Sequence, residues 1–213
     1  MKTNNKEKSK TLTTLEEWRK YYEIPEIQIC IKEIKTGRSL GPGDILLELI
    51  KSDGRALTQR IRQLMNACMK QHKVAKGRKI GYISSLYKKG NRKDLNNYRA
   101  LSLTNTLSRL WVKVLYNRLR EEIGNTISED QNGFTPGRSC IDSLFTLQQL
   151  LEKRIRKNEE THITLIDIKK AYDSVPRHRL WTALKAVGVS KHLIRTIKDI
   201  YNENKASTTS TYI

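Results

Sequence analysis

The spacing of apolar residues along the chain predicts a fold rich in helices. Apolar side chains recur every three or four positions in the segments 55–71, 106–123 and 142–156, which is the period of an amphipathic helix. The first segment places on one face Leu57, Ile61, Leu64, Met65 and Cys68, and the second has the clearest stripe, with Leu107, Leu110, Trp111, Val114, Leu115 and Leu119. Weaker patterns predict helices at 12–22, 45–51, 177–187 and 191–201, whereas 27–34 fits either a strand or a short helix.

Other segments carry the patterns of strands, so the predicted fold class is α+β. Residues 79–86 and 98–103 predict a β-hairpin, because Gly90 and Asn91 supply turn chemistry in the lysine-rich loop between them. Residues 206–213 predict a further strand that is cut off mid-element, and we expect the chain to be truncated there.

The charge of the chain points to a polyanionic partner. Lys and Arg total 41 against 22 Asp and Glu, which gives a formal net charge of +19. Nucleic acid is the predicted partner, because each phosphate that Lys or Arg neutralises releases condensed counterions. A membrane is not expected, since no apolar run approaches the about 20 residues that a spanning helix needs.

Cysteine and histidine usage predicts an intracellular protein without a zinc site. The three cysteines, Cys30, Cys68 and Cys140, are an odd number and far apart, which fits the reducing nucleus or cytoplasm. No CxxC pair or Cys/His cluster is present in the sequence, so no zinc is expected. Residues 1–10 are polar and lysine-rich, unlike a secretory signal, and we expect them to be disordered. The sequence does not indicate an oligomeric state.

Asp167 stands where an apolar run stops, which makes it the first candidate for chemistry. The run 163–166, in which three of the four residues are β-branched, predicts a buried strand that ends at or near Asp167. An isolated charge is costly to bury, so such a carboxylate needs a partner, commonly a metal ion. Asp173 cannot reach the same ion, since residues six apart lie about 20 Å apart along a strand and on different faces of a helix. We expect Asp173 to be a capping or salt-bridging group.

The stretch 161–177, Thr-His-Ile-Thr-Leu-Ile-Asp-Ile-Lys-Lys-Ala-Tyr-Asp-Ser-Val-Pro-Arg, resembles motif A of reverse transcriptases, in the version of non-LTR, LINE-type retrotransposons. The resemblance implies that Asp167 is a catalytic residue that binds two Mg²⁺ ions, with the Ile168 carbonyl oxygen as a further ligand. It also implies that Tyr172 is a steric gate whose ring occupies the space of a ribose 2′-OH and so favours dNTPs. The alternative for Tyr172 is a core tyrosine.

Residues 85–103 resemble the fingers hairpin of LINE-type enzymes, with a specific Asn-Tyr-Arg match at 97–99. The resemblance implies that Lys88 or Lys89, together with Arg99, grips the triphosphate of the incoming dNTP. Arginine suits this role because its planar fork can hold two phosphate oxygens at once. The alternative is a solvated basic hairpin.

Two further stretches extend the resemblance. Residues 131–142 resemble the Gln-x-Gly-Phe-(basic)-x-Gly-Arg-Ser segment that follows the fingers in non-LTR and group II intron enzymes. The match implies that Arg138 contacts phosphate or template and that Ser139 caps the next helix, although Thr135 stands where the family usually has a basic residue. Residues 41–50 resemble more weakly the family's N-terminal Gly-Pro-Asp-Gly-Ile segment. The alternative for residues 131–142 is a helix N-terminus, and the alternative for residues 41–50 is a turn with a helix cap.

Taken together, the resemblance implies part of an RNA-directed DNA polymerase, with RNA template, DNA primer, dNTP and Mg²⁺ as partners and cofactor. It divides the chain into an N-terminal extension (1–39), fingers (40–158) and the start of a palm with an incomplete antiparallel sheet (159–213). The sequence contains no Asp-Asp pair like the one that completes the family's two-metal site, so we expect the isolated chain to be inactive.

Three other interpretations fit the charge of the chain. One is a group II intron-type reverse transcriptase or maturase, against which the Asn-Tyr-Arg hairpin argues. The second is a non-catalytic RNA-binding remnant that kept the basic fingers. The third is a structural protein with accidental basicity, which predicts no salt-dependent association with nucleic acid.

Overall fold

A computed structural model describes residues 21–41, 43, 45–52, 54–71, 73–168 and 171–208. The helices are α1 (Ile24–Glu33), α2 (Leu47–Ser52), α3 (Arg55–Gln71), α4 (Thr106–Ile123), α5 (Cys140–Arg156), α6 (Ala171–Ser174), α7 (Arg177–Ala186) and α8 (Lys191–Tyr201), and the strands are β1 (Ile80–Tyr87), β2 (Tyr98–Thr104) and β3 (Lys205–Thr208). The helix predicted at 12–22 falls almost wholly outside the described residues, as does the expected disorder of 1–10. None of the described helices combines the length and the apolar content that a membrane span requires.

The ambiguous segment 27–34 is mostly helical, and Pro25 lies inside the first turn of α1. Proline is tolerated there because its missing N–H would have had no intrahelical acceptor. The Glu26 carboxylate accepts a hydrogen bond of 3.4 Å from the Glu23 backbone N–H, as part of a capping box. The proline is therefore compatible with the first turn of this helix, which begins at Ile24.

The strands form one mixed sheet in the order β2-β1-β3. β1 and β2 pair antiparallel, with Leu86 opposite Arg99, which confirms the predicted hairpin. β3 pairs parallel to β1, with Ile80 opposite Lys205. This pairing corrects the expectation that the last strand belongs to an incomplete antiparallel palm sheet, because among the described residues its partner is the hairpin.

The chain divides into two compact units. Unit 1 comprises residues 1–121 and 190–213, and unit 2 comprises residues 122–189. The core of unit 1 draws fully buried side chains from α1, α3 and α4, among them Ile27, Met65 and Leu110. In the described part of unit 2, Leu184 and Val189 are the buried apolar side chains.

A polar contact at the centre of unit 1 joins distant parts of the chain. The Tyr22 hydroxyl accepts a hydrogen bond of 2.7 Å from Trp111 Nε1 and donates one of 3.3 Å to Met69 Sδ. The Thr196 hydroxyl donates to the same sulfur at 3.2 Å. Burial raises the pKa of Tyr22, so the phenol stays neutral and its hydrogen bonds persist.

The predicted strand at 163–166 is wrong for the described structure. Residues 159–168 have no regular secondary structure, and Leu165 is 90% exposed. A strand needs a hydrogen-bonded neighbour, and none of the described strands pairs with this segment. Leu64, which was expected on the buried face of α3, is 40% exposed, whereas Ile61 and Met65 are buried.

Candidate functional site

The tip of the β1–β2 hairpin is anchored by hydrogen bonds to its own backbone. Gly90 has a φ of 96°, which favours glycine. Asn97 Nδ2 donates to the Asn91 carbonyl oxygen at 2.9 Å, and the Tyr87 hydroxyl donates to the Gly90 carbonyl oxygen at 2.6 Å. The lysine-rich loop therefore has a defined conformation.

Lys88 and Arg99 belong to the same face of the hairpin. Arg99 lies opposite Leu86, and the Lys88 backbone N–H donates to the Asn97 carbonyl oxygen at 2.8 Å, which extends the pairing by one residue. Side chains alternate between the two faces along a strand, so Lys88, Leu86 and Arg99 share a face. Lys89 lies beyond the paired residues. All three basic side chains are exposed.

A tight loop in unit 2 leads to α5. Phe134 has a φ of 60° and Gly137 a φ of 77°. The Thr135 hydroxyl donates to the Gln131 carbonyl oxygen at 2.7 Å, and the Arg138 backbone N–H donates to the Thr135 carbonyl oxygen at 3.1 Å. Thr135 therefore holds the turn at the position where a basic residue was expected from the resemblance, and the Arg138 side chain is exposed.

Ser139 caps α5, as predicted. The Asp142 carboxylate accepts hydrogen bonds from the Ser139 backbone N–H at 2.5 Å and from its hydroxyl at 3.0 Å, within a capping box. These hydrogen bonds from Ser139 hold the pKa of Asp142 below its ordinary value. The Asp142 carboxylate is therefore engaged in capping the N-terminus of α5.

Asp167 and Tyr172 are both exposed in unit 2. Asp167 follows the irregular segment described above, and Ile168 is 67% exposed. Tyr172, in α6, is 77% exposed. Its ring stands edge-on to that of Phe134, with the ring centroids 6.1 Å apart and the planes at 79°. Tyr172 is therefore not a core tyrosine in the described structure.

The surroundings of Asp167 supply oxygen ligands of the right kind for Mg²⁺ but too few of them. Mg²⁺ requires nearly octahedral oxygen coordination and is held through one or two carboxylates together with waters and substrate phosphates. Asp167 forms no ion pair with another described residue, and within the described ranges no three His, Cys, Asp or Glu side chains come together. Asp173 is exposed as well; of the two roles expected for it, capping and salt bridging, the salt bridge is not formed with any described residue.

Comparison with known sequences decides the family. The sequence profile of the family described as reverse transcriptase (RNA-dependent DNA polymerase) matches residues 86–213, which is more than half of the chain. The chain belongs to the reverse transcriptase family. The matched range includes Arg99, Arg138, Asp167 and Tyr172, so the resemblance drawn from the separate motifs is confirmed at the level of the family.

Several transposon proteins are similar to this reverse transcriptase chain. The Transposon TX1 uncharacterized 149 kDa protein of Xenopus laevis is 23% identical over 178 residues, 84% of this chain and 14% of the relative. The Probable RNA-directed DNA polymerase from transposon BS of Drosophila melanogaster is 24% identical over 155 residues, 71% of this chain and 17% of the relative. The Retrovirus-related Pol polyprotein from type-2 retrotransposable element R2DM of the same species is 25% identical over 105 residues, 49% of this chain and 10% of the relative. The chain thus spans less than a fifth of each relative, and the relatives favour the retrotransposon interpretation over the group II intron alternative.

The basic residues just before β1 are not among the site residues predicted from the sequence. Lys79 has a side chain that is 7% exposed and pairs with Asp199 at 3.2 Å. Asp199 also accepts a hydrogen bond of 2.6 Å from the Val74 backbone N–H. The Arg78 guanidinium lies 5.9 Å from the centroid of the Trp111 ring. No local sequence pattern distinguishes a buried cation in a basic loop from a solvated one, so the burial of these residues can be recognised only in the three-dimensional structure.

Proposed function

We propose that the chain supplies the nucleotide-binding hairpin and part of the catalytic region of a non-LTR retrotransposon RNA-directed DNA polymerase. The observation that carries the proposal is the family match over residues 86–213. The net charge of +19 supports it, because RNA template, DNA primer and dNTP are all polyanions. Template, primer and dNTP meet inside the cell, and we place the reaction in the nucleus or cytoplasm.

The hairpin face with Lys88 and Arg99 is assigned to the triphosphate of the incoming dNTP. Both side chains are exposed, and neither forms an ion pair with another described residue, so both are available to an anion. Arg99 provides a planar fork that can hold two phosphate oxygens, and Lys88 adds a mobile point charge. Lys89 is the weaker candidate, because it lies beyond the paired residues.

The remaining roles belong to unit 2. Asp167 and the Ile168 carbonyl oxygen are assigned as part of the Mg²⁺ ligand set, and bound Mg²⁺ supplies positive charge that stabilises the reacting phosphate oxygens. The exposed Tyr172 ring, supported by Phe134, is assigned as the gate against ribonucleotides. The exposed Arg138 side chain is assigned to a phosphate of the template.

In this proposal residues 40–158 act as fingers, 159–213 begin the palm, and 1–39 form an N-terminal extension. The isolated chain does not extend a primer, because its sequence has no Asp-Asp pair to complete the ligand set that Asp167 begins.

Asp167 is tested in a chimera in which this chain replaces the matched segment of the transposon BS polymerase. We expect Asp167→Ala to abolish Mg²⁺-dependent primer extension, whereas Asp173→Ala, a matched loss of a nearby exposed carboxylate, retains it. Extension that survives Asp167→Ala would remove Asp167 from the catalytic role.

The same chimera tests the hairpin face. Arg99→Ala should lower kcat/KM for dNTP by about 10- to 100-fold, the loss expected for a hydrogen bond to a charged group. Lys88→Ala should lower it more than Lys89→Ala, which removes the same charge from the neighbouring residue. Equal effects of the two lysine variants would contradict the face assignment.

The gate is tested by nucleotide choice. Tyr172→Val should raise the incorporation of ribonucleotides relative to deoxyribonucleotides, because the space for a 2′-OH opens. Tyr172→Phe keeps the ring and should keep the selectivity. Unchanged selectivity in Tyr172→Val would reject the assignment.

A non-catalytic RNA-binding remnant is the second candidate function, favoured by the lone, exposed Asp167. Both functions predict single-stranded RNA binding that weakens with salt, with a slope of about −0.7 for each phosphate contact. Primer extension by the chimera separates them, since a remnant would yield a chimera that binds RNA but does not extend a primer.

A further inference from the structure

Unit 1 contains a cavity of about 790 Å³ on the face of the hairpin opposite to Arg99. Ile83 of β1 and Ser102 and Thr104 of β2 line this cavity. In the pairing register Ser102 lies opposite Ile83, and side chains at even and odd positions of β2 point to opposite faces. The cavity is therefore separate from the surface that carries Lys88 and Arg99.

The wall of the cavity is strongly basic. Seven of its lining residues are Lys or Arg, against one acidic residue, Glu33. Two of the cations are neutralised, since Lys79 pairs with Asp199 at 3.2 Å and Lys113 pairs with Glu33 at 2.8 Å. Lys35, Arg38, Arg78 and Lys205 line the cavity without an ion pair to another described residue, and Arg109 donates a hydrogen bond to the Thr106 hydroxyl. The cavity therefore carries net positive charge that its own wall does not balance.

Arg78 is the most constrained of these cations. Its Nη1 atom is buried and has no hydrogen-bond partner in the described structure. A guanidinium cannot give up its charge in a protein, and burial lowers the pKa of Arg78 because the charged form loses solvation. The nearby Trp111 ring, 5.9 Å from the guanidinium carbon, offsets part of that loss but accepts no conventional hydrogen bond. Because Arg78 is only partly buried and lines the cavity, an anionic group there would offset the charge of its guanidinium.

The rest of the wall is apolar and partly aromatic. Trp111, Val112 and Tyr116 contribute from α4, with Val74 and Ile200 from other segments. A cavity of this size matches the range of about 300–1,000 Å³ that holds small organic ligands. An inorganic anion would leave the apolar wall uncovered, and a purely apolar ligand would desolvate the cations. The required ligand combines an anionic group with a flat, weakly polar body.

We propose that this cavity binds a nucleoside phosphate, with its phosphate at Arg78 and its base against the α4 wall. This site goes beyond the proposed function, because it is distinct from the hairpin face assigned to the dNTP triphosphate. A free nucleotide and a nucleotide within a single strand offer the same chemistry.

The test uses Trp111 as the reporter of occupancy in the full chain. Trp18 and Trp181, the other tryptophans, are replaced by Phe, and Trp111 fluorescence is followed during titration with UMP, uridine, inorganic phosphate and a short oligouridylate. UMP should saturate the signal at lower concentration than uridine or phosphate, because each of those two molecules satisfies only one part of the wall. Equal affinities for UMP and phosphate, or no response to UMP or oligouridylate, would overturn the proposal.

Arg78→Gln should weaken UMP binding by about tenfold or more, the loss expected for a hydrogen bond to a charged group. Arg60→Gln is the matched control, since Arg60 is an exposed residue of α3 that does not line the cavity. Ser102→Tyr places a bulky ring in the cavity while it keeps every cation, and should also weaken UMP binding. Ser85→Tyr places the same residue on the same strand face outside the cavity and should bind normally. Thermal unfolding of each variant verifies that it folds, and UMP binding to a folded Ser102→Tyr chain at wild-type affinity would refute the site.

The same titrations distinguish a free nucleotide from a nucleotide within a strand, and the cavity from the hairpin face that carries Arg99. An oligouridylate that binds at least about tenfold more tightly than UMP identifies a strand, whereas equal affinity identifies a free nucleotide; either outcome supports the site. Loss of UMP binding in Arg99→Gln, with binding intact in Arg78→Gln, would place the nucleotide on the hairpin face. That result would overturn this inference while it supports the proposed function.

Discussion

The helices α4 and α5 have similar lengths and similar apolar stripes, yet one is buried and the other is exposed. α4, with 18 residues, buries Thr106, Leu110, Trp111, Val114 and Leu115. α5, with 17 residues, buries none of its residues in the described structure. Its stripe includes Leu144, Phe145, Leu151 and Ile155, and Phe145 is 61% exposed. Helical periodicity depends on local sequence, whereas burial depends on whether other segments pack against the stripe.

The same contrast separates the two units as wholes. Unit 1 has a sheet, a packed core and the buried Lys79–Asp199 ion pair. In the described part of unit 2, both the Ser139–Asp142 cap and the exposed Arg154–Glu159 pair are local contacts. Because buried contacts contribute most of the free energy of unfolding, unit 1 should be much more sensitive to truncated side chains.

The largest expected difference lies between matched leucine truncations in the two stripes. Leu110→Ala, at a fully buried position, should lower the free energy of unfolding by about 3–5 kcal/mol. Leu144→Ala, where the side chain is 60% exposed, should change it by no more than about 0.5 kcal/mol. Urea denaturation followed by circular dichroism measures both. Similar losses would show that the α5 stripe is covered in solution, and the contrast between the helices would fail.

The second largest difference in stability is expected between two ion pairs, one in each unit. Asp199→Ala leaves Lys79, whose side chain is 7% exposed, and the Val74 N–H without their partner, and should cost about 3 kcal/mol. Glu159→Ala breaks the 3.1 Å pair with Arg154, whose side chain is 42% exposed, and should cost at most about 1 kcal/mol. Urea denaturation compares the two variants. A higher salt concentration should reduce the loss of stability for Glu159→Ala before it reduces the loss for Asp199→Ala, because the exposed pair is screened more strongly. A loss for Glu159→Ala as large as that for Asp199→Ala would argue that unit 2 depends on this pair.

Local sequence rules predicted the elements whose hydrogen bonds close within the element or across a short turn. The α4 bounds and the hairpin from β1 to β2 follow from periodicity and from turn chemistry at Gly90, and the α5 cap follows from Ser139. The hydrogen bonds of these features join residues that are close in sequence, so the local sequence is sufficient to predict them.

The failures concern contacts between distant residues. The apolar run 163–166 has the composition of a strand, but a strand also needs a neighbour, which the described chain does not provide. β3 pairs with β1 across more than a hundred residues, and the buried cation Arg78 has no local signature. Of the candidate site, sequence placed Lys88 and Arg99 on one hairpin, but the shared face required the register.

Two glycine substitutions, one in each unit, test the same comparison with smaller expected losses of stability. A Cβ atom on Gly41 would lie 2.7 Å from the Thr104 carbonyl carbon, so Gly41→Ala must displace backbone and should cost about 1–3 kcal/mol. A Cβ atom on Gly133, in unit 2, would lie 3.2 Å from Gln131 Nε2, the end of an exposed side chain that can move away by exchanging its 2.9 Å hydrogen bond to the Gly133 carbonyl oxygen for one to water. Gly133→Ala should therefore be nearly neutral in thermal unfolding. A large loss in Gly133→Ala would indicate that the loop before α5 is packed more tightly than its exposure suggests.

The smallest expected effect is the pH response of the α5 cap. In unit 1, burial raises the pKa of the Cys30 thiol to about 11, whereas in unit 2 hydrogen bonds from Ser139 lower the pKa of Asp142. Because the folded-state pKa of Asp142 lies below its unfolded value, the cap stabilises α5 fully above the unfolded pKa, near 3.8, and is lost as the pH falls through the folded pKa. An NMR titration of the Asp142 carboxyl should show a midpoint below 3.8. Asp142→Asn should remove this acid-dependent part of the α5 helicity, and a midpoint at or above the ordinary carboxyl value would contradict the cap.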